Sequence, residues 1–183
     1  MQNKIRNFIY FICIAILSGF NMSANSECDY KITASLSEKQ YNITNEIENI
    51  FKNHLYNYNS SIIYTQVPRG LVLSIDSSIF FEENDYEIKE TSKELLNKIG
   101  EVIKYLDKPC LIEGNAKLSG IQNPDFPSNW EISTARAQKI TEYLIIKHKL
   151  NPQKIQAIGF GEKIPNNLNQ RMDFVIINYE EKN

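Results

Sequence analysis

Between residues 61 and 178, short apolar runs rich in β-branched residues alternate with longer stretches of helical period, and the chain closes on two short runs in succession. This alternation restricts the fold more than any other feature, because a strand repeats its buried face every second residue and a helix about every 3.6. Residues 61–67 and 70–75 read as a strand pair or one bent strand about the turn signal Pro68-Arg69-Gly70. Thr91 with Glu94 forms a capping box before a helix that sets Leu95, Ile99, Val102, Ile103 and Leu106 on one face, and Lys108-Pro109 ends it. Residues 110–113 are a short strand, followed by a long loop at 114–130. A third helix is expected from Ser133 to about His148, with Ala137, Ile140 and Leu144 inward and Asn151-Pro152 as a stop. Strands at 154–159 and 171–178 complete the order. The expected class is α+β, a βαβαββ mixed sheet with helices packed on one face.

Ahead of this region, residues 37–56 place Ile43, Ile47, Ile50, Phe51 and Leu55 at helical spacing, with Ser37 and Gln40 as a capping box. The polar face mixes Glu46, Glu48, Lys52 and several asparagines, so a packing helix fits better than a membrane-surface one. Residues 27–60 are therefore expected to be a helical extension of a domain at 61–183.

The amino terminus points to a compartment. Lys4 and Arg6 precede the apolar run FIYFICIAIL at residues 8–17, which Ser18-Gly19 breaks. That run falls well short of the roughly 20 residues a bilayer needs. A signal peptide over 1–26, cut after Ala24 and Ser26 at the −3 and −1 positions, fits better than an uncleaved inner-membrane anchor at residues 8–24. The expected location is the periplasm, in association with the cell envelope. There, Cys28 and Cys110 are the remaining thiols and a bridge between them is open; Cys110 at the head of an apolar run also reads as a small buried hydrophobe.

Charge and composition exclude several classes. A formal net charge of −2 with no basic stretch argues against nucleic acid as a partner. His54 and His148 lie far apart and the cysteines form no C-x-x-C unit, so neither a metal site nor a cofactor is expected. No nucleophile with a base and an orienting group stands out, and the expectation is that the protein is not an enzyme.

Spelling then adds to periodicity. Pro68 to Ile75, Ile79-Phe80-Phe81, Ile112-Glu113-Gly114, the block Phe126-Pro127-Ser128-Asn129-Trp130-Glu131-Ile132-Ser133-Thr134-Ala135-Arg136-Ala137, Gly159-Phe160-Gly161-Glu162 and Asn169-Gln170-Arg171 together resemble the OmpA-like peptidoglycan-binding domain, nearest to its MotB-type version. The likeness covers about 60% of the chain, from about residue 68 to 178. It implies that Arg136 holds a carboxylate of the peptidoglycan stem peptide, with Asn115, Lys117, Asn129, Ser133 and Arg171 around it. Independently, Ser133 as N-cap makes Arg136 the third helical residue, beside the positive end of the helix, where a carboxylate is welcome.

Two departures from the family pattern bear on that site. Where the family reads Gly-His-Thr-Asp, this chain has Gly114-Asn115-Ala116-Lys117, an ammonium in place of the acid that meets the ligand's amine. The family's Asn-Arg-Arg appears as Asn169-Gln170-Arg171, and Arg171 reads equally as a structural residue at the head of the last strand. Two functions remain open: a non-enzymatic periplasmic module fastened to peptidoglycan, or a degenerate domain serving protein interactions in an envelope-spanning secretion or motility complex. Either is compatible with a homodimer. An ion-conducting stator subunit is disfavoured, since residues 7–26 carry no charged group to titrate within a span.

Overall fold

The computed structural model describes residues 25–116, 128–162 and 170–178, with side chains from residue 38 onward. Helix α1 runs Asn25–His54, and the chain divides into two compact units between Lys39 and Gln40. In the first unit the described residues, 25–39, are helical. The expected capping box at Ser37 and Gln40 is corrected, because both residues lie inside α1, where no free helix end exists to cap. The expected leader falls outside the described residues up to residue 24. Among the described residues no helix is long and apolar enough to cross a membrane.

The second unit is built on a mixed five-stranded sheet: β1 (Ile62–Val67), β2 (Gly70–Asp76), β3 (Cys110–Asn115), β4 (Ile155–Gly159) and β5 (Arg171–Ile177), in the order β1-β2-β5-β3-β4. The β1–β2, β2–β5 and β5–β3 pairs are antiparallel; β3 and β4 are parallel. Helix α2 (Lys93–Leu106) connects β2 to β3, and α3 (Asn129–His148) is the crossover from β3 to β4. The last strand to be made thus inserts between β2 and β3, a split βαβ arrangement. Its central place explains its composition. Met172, Phe174 and Ile176 enter the core beneath the helices, while Asp173 and Val175 are buried on the opposite face.

Helices cover one face, as expected for the α+β class. Leu95, Ile99, Val102 and Ile103 of α2 and Ala137, Ile140 and Leu144 of α3 meet Leu71, Leu73, Ile75, Ile112 and Phe174. Ile47, Phe51 and Leu55 join the same core, so residues 40–55 pack as part of this unit. Each such fully buried side chain contributes about 1.5–3 kcal/mol. Cys110 is one of these core residues, a free thiol that burial pushes up to about 12.

Three local expectations are corrected. The chain enters α2 through a 3-10 turn, Glu90–Ser92, and the N-cap is Ser92, whose hydroxyl donates back to the Lys89 carbonyl at 2.7 Å; the Thr91–Glu94 capping box does not form. That helix ends at Asp107, in the left-handed region at φ 49°, before Lys108-Pro109 is reached. Helix α3 begins at Asn129, four residues before Ser133, with the extended Ser128 as its N-cap. The cause is tertiary. Gly114 and Gly159 pair across β3 and β4, and a Cβ on either would overlap Ser133 or Thr134. The bare backbone lets the first turns of α3 settle on the sheet, and burial of Ile132 and Ser133 draws the preceding residues into the helix.

Candidate functional site

The chain beyond β2 sets the floor of the site. Asp76 accepts from the Ser78 N–H at 2.8 Å, starting a 3-10 turn at Ser77–Ile79. Phe80 and Phe81 then drop into the core, Phe80 edge-on to Phe174 at 6.0 Å. The excursion closes where Lys89 N–H donates to the Phe80 carbonyl at 2.8 Å and Phe81 bridges Ile88. Between those residues the Asp85 carboxylate accepts from the backbone N–H groups of Tyr86 and Glu87, at 2.6 and 3.0 Å, and fixes the loop.

Helix α3 grips this loop with two cations. Arg136 Nε donates to the Asp85 carbonyl at 2.7 Å and Nη2 to the Glu82 carbonyl at 3.0 Å, with the guanidinium 5.1 Å from the Phe81 ring centroid. Lys139, one turn on, pairs with Glu87 at 2.7 Å and lies over Tyr86. Arg136 is only 5% exposed, and burial pulls its pKa down against the opposing field of Asp85. It remains charged, because arginine does not deprotonate in proteins. Its hydrogen-bond acceptors are neutral carbonyls that take two of five N–H groups. Among the described residues no carboxylate forms an ion pair with it, so the buried cation meets acidic charge only through the field of Asp85.

The position of Arg136 departs from the expectation. It is the eighth residue of α3, two turns in, so the positive end of the helix does not adjoin its guanidinium. Ser133 is not a cap either. Its hydroxyl donates to the Trp130 carbonyl at 2.9 Å and accepts from the Gly161 N–H at 2.9 Å, pinning the first turn of α3 to the chain beyond β4. Asn129 opens the helix, half-buried and engaged with neighbours.

Asn115 and Arg171 face the other way. Both share the parity of Asp173, on the face of the sheet away from the helices. Arg171 Nε donates to both Asp173 oxygens, at 3.0 and 2.8 Å, and Asn115 Nδ2 donates to the second at 3.2 Å. These bonds satisfy a carboxylate that is 3% exposed, which is a structural role for Arg171. Next to it Glu113 is buried with Arg69 Nη2 2.8 Å from its Oε1, though not aligned as a hydrogen bond. Arg69, Glu113, Arg171 and Asp173 line a groove of about 550 Å³ with Ile63, Val67 and Val72. The structure therefore places Arg136 on the helical side of the sheet and Asn115 and Arg171 on the opposite side; Lys117 lies outside the described residues.

Sequence reasoning missed the floor under Arg136, namely Phe81 and the carbonyls of Glu82 and Asp85, because backbone acceptors carry no residue signature. It also missed Asp173, although an acid between Met172 and Phe174 in a strand was a visible sign.

A family model, the OmpA family, matches residues 80–173. Motility protein B of Bacillus subtilis (strain 168) is 28% identical over 134 residues, 72% of this chain and 50% of the relative. The chain spans about half the length of the curated relatives it matches. A MotB-like protein from Desulfovibrio vulgaris shares the fold with a TM-score of 0.67 at 21% identity, over 82% of this chain and 98% of that one. The cell wall anchor of the T6SS from Pseudomonas aeruginosa gives 0.64 at 18% identity, over 70% of this chain and 97% of that one. At such identities these structures speak to the fold alone.

Proposed function

The chain belongs to the OmpA family, with a MotB-type OmpA-like domain, and from that membership we propose that it is a non-enzymatic periplasmic protein that fastens to peptidoglycan through Arg136. The observation that carries the reading is the buried guanidinium whose bonds go to neutral carbonyls and which has no direct ion-pair partner among the described residues. A stem-peptide carboxylate supplies a direct ion-pair partner and meets donors already held in place by Phe81 and the 82–85 loop. The cell-wall role named for the T6SS anchor and the motility role named for the Bacillus subtilis relative are consistent with an envelope setting. Residues 1–26 act as the signal peptide in this reading.

One feature favours a second reading. Lys117 replaces the family's acid, which opposes a ligand amine. On that reading the domain no longer holds peptidoglycan and joins an envelope protein complex instead.

Co-sedimentation with purified sacculi separates the two. Wall binding is supported if the protein pellets, Arg136→Ala weakens pelleting about tenfold or more, and Lys117→Asp strengthens it. Wild-type protein that stays in the supernatant at low salt, with neither substitution having an effect, leaves the protein-interaction reading.

A further inference from the structure

Four lysines, Lys104, Lys108, Lys147 and Lys149, gather where α2 and α3 finish, and among the described residues none of them forms an ion pair. Lys104, Lys108 and Lys149 surround one cavity, and Lys104 and Lys147 both act on His148. Two acids nearby are already taken: Asp107 by Lys154 at 2.6 Å and Glu101 by His54 at 2.8 Å. In a chain whose formal net charge is −2, this end is a local reversal of sign.

Helix electrostatics account for part of it. Lys104 and Lys147 lie in last turns, where a cation meets the negative end of the helix. Lys108 lies beyond the end of α2. Lys149 is the C-cap of α3 in the left-handed region at φ 54°, a position that favours glycine, and a lysine is held there all the same.

The surroundings of these cations suit an amphipathic partner better than a soluble polyanion. The cavity, of about 280 Å³, is lined by Ile103, Leu150 and Ile155 as well as by lysine. In the last turns of the same helices Tyr105 and Ile146 are 77% and 70% exposed, apolar surface left in water. This end is also remote from the candidate wall site, since Lys149 lies 13 residues beyond Arg136, about 20 Å along the α3 axis. The chain joins the domain here too: Gln40 Nε2 donates to the carbonyl of Pro68, and the Pro68-Arg69 turn, Pro109 and Asn178 share this end.

We propose that the paired ends of α2 and α3 form a docking surface for anionic phospholipid, with Lys104, Lys108, Lys147 and Lys149 meeting headgroup phosphates. The surface uses none of the residues around Arg136, so vesicle binding and sacculus pelleting succeed or fail separately.

Flotation of the full chain with vesicles tests it. Equimolar phosphatidylglycerol and phosphatidylcholine should bind the protein more strongly than phosphatidylcholine alone, and salt should erase the difference. Each lysine at such a surface is worth about fivefold, so Lys104→Gln with Lys149→Gln should weaken binding to the anionic vesicles about tenfold or more. Lys52→Gln with Lys93→Gln removes the same charge from lysines paired with Glu48 and Glu90, and should bind like wild type. The apolar run at residues 8–17 is common to every variant and cancels in the comparison. Equal binding to both vesicle types, a Lys104/Lys149 variant that binds like wild type, or an equal loss in the control pair overturns the proposal. Binding of poly-glutamate that depends on Lys104 and Lys149, with phosphatidylglycerol ignored, would assign the surface to an acidic protein and likewise overturn it.

Discussion

Arg136 donates from Nε to the carbonyl of Asp85, 51 residues earlier in the chain, at 2.7 Å. The bond joins the middle of α3 to the loop beyond β2, and the same guanidinium reaches the Glu82 carbonyl. One residue thus ties α3 to this loop and presents a cation there, and the tie and the charge respond differently to substitution.

Arg136→Lys keeps the charge but cannot span both carbonyls as the planar fork does. The expected loss is about 1–3 kcal/mol of stability by urea denaturation, with residual sacculus pelleting above that of Arg136→Ala. Equal pelleting by both variants would show that the fork geometry, rather than the charge, carries binding.

On the opposite face, Asp173 answers Arg171 and Asn115 at once. Arg171→Ala leaves a carboxylate that is 3% exposed without its cation, and about 3 kcal/mol or more should be lost. Arg171→Met with Asp173→Leu should cost clearly less than the two single changes added together. Additive costs in that double-mutant cycle would mean that the pair is not coupled.

Gly114→Ala forces a methyl against the Ser133 carbonyl, where backbone meets backbone and no side chain can swing away. Overpacking of this kind costs about 1–3 kcal/mol or more. Because the strain lies between β3 and α3, amide exchange in the first turn of α3 should speed up more than in α2. Uniform acceleration across both helices would contradict this local origin.

His148 is half-buried, its ring lies against Gly100, and its Nε2 is enclosed without a hydrogen-bond partner. Burial depresses its pKa, with Lys104 and Lys147 acting in the same direction and Glu101 against them. A depressed folded-state pKa means that the unfolded chain binds the proton more readily. The associated stability is present above the unfolded value of about 6.5 and is lost as the pH falls through the lower folded value. Unfolding free energy measured from pH 7.5 down to 5 should therefore fall less steeply for His148→Gln than for wild type, and identical slopes would remove His148 from the account.

The amino-acid sequence by itself determined the alternation of strands and helices, the α+β class and the family, because period and motif spelling are properties of neighbouring residues. Ile99, Val102 and Ile103 announce a buried helix face without reference to anything distant. Arg136 stood out as a candidate from the block around it, but its surroundings did not. Phe81 and the Asp85 carbonyl come beneath it only after β2, α2 and β3 have been laid down, so no local window holds them. The start of α3 depended likewise on Gly114 and Gly159, whose missing side chains matter only once β3 and β4 pair. The same closure put Arg171 and Arg136 on opposite faces of the sheet. Sequence offered two cations; parity along β5 and the packing of α3 decided that they do not share a site.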